Sequence, residues 1–203
     1  MYLPEVFEVH DSEKAIRLIE DNSLGDLVTS HNGVLSSNKV PFFFDRSTHM
    51  LYGHFGKNNP QLIDLAESKE VLAIFTGAQA YISPQWYESS NMVPTWNFQT
   101  VQIRGQATIV DDRRLINILE MLTEFHEAPF SQPWSINQVQ ADKLKMMLAM
   151  ITGFQISITE IKFKEKMSQN RNKYDQQSVI KALKRQNNQS SKNVAMVMNN
   201  NLK

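Results

Sequence analysis

Residues 27–55 read LVTSHNGVLSSNKVPFFFDRSTHMLYGHF, and the spacing of turn residues along this stretch sets the fold. Leu27–Ser30, Val34–Leu35, Val40–Phe44 and Met50–Phe55 are short runs rich in β-branched or aromatic residues, the types that suit a pleated, half-buried surface. His31-Asn32-Gly33 and Asp45-Arg46-Ser47 interrupt them with residues that tolerate turn backbone. Strands joined this tightly run antiparallel, because a parallel partner needs a crossover of about a dozen residues. The stretch predicts a β-meander.

The flanking sequence extends the pattern. On the N-terminal side, Asp11 and Ser12 can cap a short helix whose Ala15, Ile16, Leu18 and Ile19 share one face. On the C-terminal side, Asn59-Pro60 opens a second short helix, and Val71–Thr76 and Ala80–Ser83 read as strands on either side of Gly77. Phe98–Val110 alternates as a long strand interrupted at Gly105, where a bulge or a close backbone approach is expected. Asp111 or Asp112 caps the clearest helix, with Leu115, Ile118, Leu119, Leu122 and Phe125 on one stripe. A further helix carries Leu144, Met147, Leu148 and Ile151 and is expected to stop at Gly153; Phe154, Ile156, Ile158, Ile161 and Phe163 then alternate in a last strand. Val179, Ile180 and Leu183 mark a terminal helix. The fold class that follows is mainly β with peripheral helices (α+β), an antiparallel barrel with helices outside. No linker of Gly, Ser or Pro divides the chain, so residues 1–185 read as one domain. Residues 186–203, rich in Asn, read as a polar, flexible tail.

Composition narrows the function. Of 203 residues, 41% are hydrophobic and 21% charged, which suits a chain with a real core and not a disordered one. There is no cysteine, so disulfides, thiolate metal sites and cysteine nucleophiles are excluded, in keeping with a reducing, cytoplasmic setting. The opening MYLPEVFEVHDSEK lacks the basic and apolar regions of a signal peptide, and the apolar stretch from Met146 to Thr159 is too short to span a bilayer. Lys+Arg and Asp+Glu both number 21, but the balance hides an asymmetry: residues 162–203 hold 10 basic and 2 acidic side chains. Any contact with DNA is therefore expected through that segment, although a solvated helix and tail explain the same charges.

Nucleophile elbows, Walker loops, dinucleotide fingerprints and HExxH motifs are absent. The five histidines lack metal-ligand spacing apart from His49 and His54, which are expected on one strand facing opposite ways. Three segments carry more information. Gly53-His54-Phe55-Gly56-Lys57-Asn58-Asn59-Pro60 joins a strand to a helix start and gathers an imidazole, an ammonium and amides, a way to build a phosphate site. The run from Phe75 to Tyr87, with Val93-Pro94-Thr95-Trp96-Asn97-Phe98, concentrates aromatics around Gly and Pro, where they can stack on a planar ligand or fill a subunit interface. Core packing accounts for Trp96; it accounts less well for Tyr81, Trp86 and Tyr87 together. Lys166-Met167-Ser168-Gln169-Asn170-Arg171 alone reads as a polar loop.

Taken in order, LYGHFGKNNPQ, FTGAQAYISPQWY, VPTWNF and KMSQNR resemble the PaiB family of FMN-binding negative transcriptional regulators. The resemblance covers about residues 1–185 and extends to MYLPEVFE, Asn38–Phe42, His126-Glu127 and Pro133-Trp134. It departs at Glu165, where the family commonly has an aromatic, and at Lys39, where it commonly has a histidine. The resemblance implies an FMN-binding split β-barrel, a homodimer with the flavin in a cleft between subunits. It implies that His54, Lys57 and Asn58 lie near the phosphate. Thr76, Gly77, Tyr81, Ser83, Trp86 and Tyr87 would line the cleft or the dimer seam, and Lys166, Ser168, Gln169, Asn170 and Arg171 would reach the same cleft. The implied function is negative regulation of transcription with FMN as a ligand. The alternative is a flavin-dependent oxidoreductase, since the same fold hosts both.

Overall fold

A computed structural model describes residues 1–67 and 69–202. Its strands are β1 (Leu24–His31), β2 (Val34–Asp45), β3 (Met50–Gly56), β4 (Glu70–Ile82), β5 (Thr95–Ile109) and β6 (Ile151–Lys166). Its helices are α1 (Ser12–Asp21), α2 (Gln61–Glu67), α3 (Asp112–Glu127), α4 (Ala141–Leu148), α5 (Lys173–Arg185) and α6 (Gln189–Asn201). The strands close a barrel in the order β1-β2-β3-β6-β5-β4. Pairing is antiparallel between β1 and β2, β2 and β3, β3 and β6, and β1 and β4. The expected meander is thus real for β1–β3, and β3 then pairs with the last strand instead of the next. Val34–Leu35 and Val40–Phe44 belong to one twelve-residue strand, and the two runs flanking Gly77 are one strand, β4.

By packing, the described residues form two compact units: Asn22–Phe75 with Ile103–Ile161, and Met1–Asp21 with Thr76–Gln102 and Lys162–Lys203. In the first, alternation along β1–β3 turns Leu27, Val40, Phe42, Phe44, Leu51 and Phe55 inward. Phe42 meets Phe75 edge-on at 5.3 Å between ring centroids and Phe154 at 6.1 Å, geometry that aromatic quadrupoles favour. Helix α3, capped by Asp111, whose side chain accepts from the Arg114 N–H, buries Leu115, Ile118 and Leu122. Gly153 makes room for it: a Cβ there would sit 2.9 Å from Val110 Cγ2 and 3.0 Å from Leu115 Cδ1. That glycine therefore does not end a helix, as its sequence context suggests. Helix α4 stops at Leu148 and Gly153 lies within β6. Gly105 is a close approach, since a Cβ there would meet Ile156 Cγ2 and the Ser157 carbonyl at 2.5 Å.

The second unit has a core of Ala80, Ile82, Tyr87 and Met167 from strands and loops, Val179, Ile180 and Leu183 from α5, and Val194, Ala195 and Met198 from α6. The flexible tail expected from residue 186 is corrected by α6; Lys203 lies outside the described residues. Asn188 caps α6 by accepting from the Ser191 N–H at 2.8 Å, and Val194, Ala195 and Met198 fall on one buried face. That three- and four-residue spacing is helical, but Asn-rich surroundings mask it. Among the described residues no helix is long and apolar enough to cross a membrane.

Candidate functional site

Within the second unit, β6 ends at Lys166 and a tight turn through Met167–Asn172 leads into α5. Ser168 takes a left-handed backbone, φ 61°, an uncommon conformation for a residue with a side chain. It is held there by polar contacts. Buried Asn97 donates Nδ2 to Ser168 Oγ at 2.9 Å, and Ser168 Oγ donates to Asn97 Oδ1 at 3.1 Å. Gln169 bridges the turn, accepting from the Met167 N–H at 2.6 Å and donating to the Glu165 carbonyl at 2.5 Å. Glu165 is buried, its carboxylate accepting from Gln99 and from Asn201 of α6, each at 2.6 Å. Two of the expected ligand contacts, Ser168 and Gln169, thus spend their side chains on the turn itself.

What stays available is cationic and aromatic. Lys166 donates to Thr95 Oγ1 and, at 2.9 Å, to the Trp96 carbonyl. Burial, with the charges of Lys164 and Arg171, holds its pKa below the usual lysine value. The Arg171 guanidinium lies over the Tyr87 ring at 5.8 Å, and Asn170 is exposed. Tyr87 Oη is buried with no hydrogen-bond partner. Ser83 caps the short helical turn Pro84–Trp86 by accepting from the Gln85 N–H. Thr76 is exposed on β4, and Gly77 packs so closely that a Cβ would meet Gln99 Oε1 and Leu18 Cδ1 at 2.9 Å.

The aromatics sort differently from the sequence expectation. Trp86 packs against the core of this unit and Tyr87 belongs to that core. Trp96, expected to be core, is 55% exposed and meets Tyr81, 46% exposed, edge-on at 6.0 Å. Strand β5 presents Trp96 outward because its neighbour Asn97 takes the inward position, and an inward Asn is no signal of burial in a sequence.

Within the first unit, His54 lies on β3 opposite Gly153. It lines an open, mostly apolar cleft of about 320 Å³ with Pro41, Leu119, Leu122 and Trp134, and His126 and Glu127 complete the wall. His54 Nδ1 is buried without a partner, and burial lowers its pKa from 6.5. His49 is in the turn before β3 and not on the strand, so the expected His49/His54 strand pair does not form. Lys57 is exposed and lines a different cavity, of about 360 Å³, with Asp112, Leu144, Lys145 and Leu148. Asn58 is exposed beside it. The amides expected to be free at the start of α2 are in use: Gln61 N–H donates to Asn59 Oδ1, Leu62 N–H to the Asn59 carbonyl and Ile63 N–H to the Pro60 carbonyl. No group of three or more metal-ligating side chains occurs among the described residues.

Sequence reasoning passed over Gln99 and Asn201, met Glu165 only as a departure from the family pattern and Asn97 only as part of a motif, and gave no sign that these four meet at the turn, because they are separated in sequence. It did single out both residues whose buried polar atoms lack partners, His54 and Tyr87. Buried polar atoms are satisfied almost everywhere in folded proteins; the open His54 Nδ1 belongs to the first unit, beside its apolar cleft, and the open Tyr87 Oη to the second, where Arg171 lies over the Tyr87 ring.

Comparison with known proteins gives a consistent picture. Residues 1–160 match the model of the family described as "Putative FMN-binding domain". Over 205 aligned residues the chain is 34% identical to the protease synthase and sporulation protein PAI 2 of Bacillus subtilis, covering 100% of this chain and 99% of that one. In architecture it resembles the FAD and heme binding protein of Mycobacterium smegmatis, with a TM-score of 0.59 at 15% identity over 78% of this chain and 73% of that one. It also resembles the flavocytochrome Anf3 of Azotobacter vinelandii, with a TM-score of 0.56 at 16% identity over 78% and 69%. The barrel is therefore the split β-barrel of flavin-binding proteins, and with the family model and a full-length relative in agreement, the chain belongs to the PaiB family of FMN-binding domain proteins.

Proposed function

We propose that this chain is an FMN-binding negative regulator of transcription that works as a cytoplasmic homodimer. The observation that carries the flavin part is the pair of unpartnered buried atoms, His54 Nδ1 and Tyr87 Oη, on residues that the family resemblance assigns to the ligand. FMN supplies a planar redox-active ring system with hydrogen-bonding edges and an anionic phosphate. In the first unit the group open to a polar edge is His54 Nδ1, and in the second it is Tyr87 Oη, each taken by itself. The phosphate is met either by Lys57 and Asn58 of the first unit or by Lys166 and Arg171 of the second, through charge-assisted hydrogen bonds that are shorter and stronger than neutral ones. Thr76, Gly77, Tyr81, Ser83, Trp86, Ser168, Gln169 and Asn170 shape the surroundings.

The regulatory part is supported by the name of the full-length Bacillus relative, a protein of protease synthesis and sporulation. It is supported also by the ordered basic segment at the end of this chain. The homodimer is supported by Tyr81 and Trp96, which leave an aromatic pair on the surface; aromatics are enriched in interface cores. The deciding experiment is the visible spectrum and mass of whatever ligand is released from the purified protein. Stoichiometric FMN is expected, and a protein that stays colourless after incubation with FMN removes the proposal. Bleaching of the bound flavin by a reduced nicotinamide would replace regulation with oxidoreductase chemistry.

A further inference from the structure

Helices α5 and α6 are joined by only three residues, Gln186–Asn188, and form a hairpin beyond the residues 1–160 matched by the family model. Its inner faces are apolar and mutually buried: Val179, Ile180 and Leu183 from α5 against Val194, Ala195 and Met198 from α6. Its outer face is charged with one sign. Residues 173–202 hold Lys173, Lys181, Lys184, Arg185 and Lys192 against a single acid, Asp175. Asp175 is turned inward, accepting from the Ser89 N–H at 2.9 Å, from Ser89 Oγ at 2.8 Å and from Asn172 at 2.9 Å. None of the five cations pairs with a carboxylate among the described residues, and all five are exposed.

The cations are also ordered in space. Lys173, Gln177, Lys181 and Lys184 recur at helical spacing along α5, so they share one face. At 1.5 Å per residue that stripe is about 16 Å long, the rise of roughly five steps along a nucleic-acid strand. Lys181 and Lys184 stand over a groove of about 310 Å³ whose other wall carries Asn199 of α6 and Leu202 just after it. Gln177 and Lys181 also border a cleft of about 330 Å³ with Ser89, Asn172 and the exposed ring of Tyr174. Glu88 is the carboxylate on that side.

We propose that the α5–α6 hairpin is a docking surface for the phosphate backbone of duplex DNA, centred on Lys181 and Lys184 and flanked by Gln177 and Asn199. This rests on the regulatory reading above and adds the surface that would carry it. A rigid apolar seam holds the cations on an ordered scaffold, so a polyanion gains their charge without having to order a tail. The flanking amides can hydrogen-bond phosphate oxygens or base edges.

The test uses the full-length protein and a fluorescein-labelled, mixed-sequence duplex of about 30 base pairs, read by anisotropy from about 50 to 200 mM salt. The charge reversal Lys181→Glu/Lys184→Glu is compared with Lys14→Glu/Lys143→Glu, which changes net charge equally at exposed positions outside the hairpin. The hairpin pair should weaken binding by at least about tenfold and flatten the salt slope by about 2, at about 0.9 per phosphate contact. The control pair should do neither, and the unfolding midpoint should stay unchanged in both. If both pairs weaken binding alike, net charge and not this surface is responsible, and the docking surface falls. If the wild type binds and the hairpin pair binds as well, the surface is wrong while direct regulation stands. If the wild type binds no duplex, or prefers a single-stranded RNA of equal length, duplex docking falls, and with no duplex binding direct regulation falls too; the flavin spectrum is read separately and is unaffected.

Discussion

Asn97 and Ser168 exchange two hydrogen bonds, at 2.9 and 3.1 Å, between β5 and the turn that follows β6. Asn97 Nδ2 also lies 3.3 Å from Met198 Sδ of α6. One buried amide thus ties a strand, a strained turn and the last helix. Removing it leaves the Ser168 hydroxyl buried without its partner, which costs about 1–3 kcal/mol. Asn97→Ala should lower the free energy of unfolding by that amount in a urea titration. A loss under about 0.5 kcal/mol would mean that water satisfies the serine and the tie is weak.

The strands, the Asp111 cap and the family were legible because each rests on local spacing: alternation in β1–β3, an acid just ahead of an apolar stripe, the order of the motif segments. What was not legible depends on partners remote in sequence. Glu165 looks like a departure from the family pattern until Gln99 and Asn201 are found on its carboxylate, each at 2.6 Å. Gly153 looks like a helix stop until α3 is seen to press against it. The apolar face of α6 is diluted by Asn and Ser, which favour turns in isolation; packing against α5 overrides that preference.

His54 should make stability fall in mild acid. Burial lowers its pKa in the folded protein, whereas the unfolded chain titrates near the ordinary 6.5. The unfolded state therefore binds the proton more readily, and stability declines as pH drops from 6.5 towards the folded value. Above that range the residue contributes nothing to the pH dependence. His54→Phe should flatten the decline that sets in below pH 6.5 in unfolding midpoints; an unaltered slope would place the acid sensitivity in another group.

FMN should bind more tightly than riboflavin by about 1–3 kcal/mol, the worth of charge-assisted contacts to a phosphate. Isothermal titration of both flavins gives the gap directly. Lys57→Ala should narrow it if the phosphate sits beside Asn58, and Lys166→Ala or Arg171→Ala should do so if it sits at the turn after β6. Equal affinities in the wild type would leave all three cations without a role in binding FMN.

Trp96→Ala should weaken the proposed homodimer while Trp86→Ala should weaken the fold, because Trp96 is exposed and Trp86 packs on the core. Light scattering at micromolar concentration separates the two effects from thermal unfolding. A monomeric wild type would dissolve the interface argument for Tyr81 and Trp96 altogether.

Removing the chain after Arg185 should destabilise the protein strongly, although the composition of that segment suggests a dispensable tail. Val194 and Met198 are 0% and 1% exposed, and burying such side chains contributes about 1.5–3 kcal/mol each. Their loss would also bare Val179, Ile180 and Leu183 of α5 and take Asn201 from the buried Glu165 carboxylate. The point variant Met198→Ala isolates the packing part and should cost about 2–5 kcal/mol, the usual range for emptying a well-packed site. Glu165→Gln isolates the polar part: it keeps the shape and removes the buried charge, so it should tolerate the absence of Asn201 better than the wild-type glutamate does. Chemical denaturation of the truncated protein with and without Glu165→Gln measures both. If truncation leaves the midpoint where it was, α6 rests on the surface of this unit and is no part of its core.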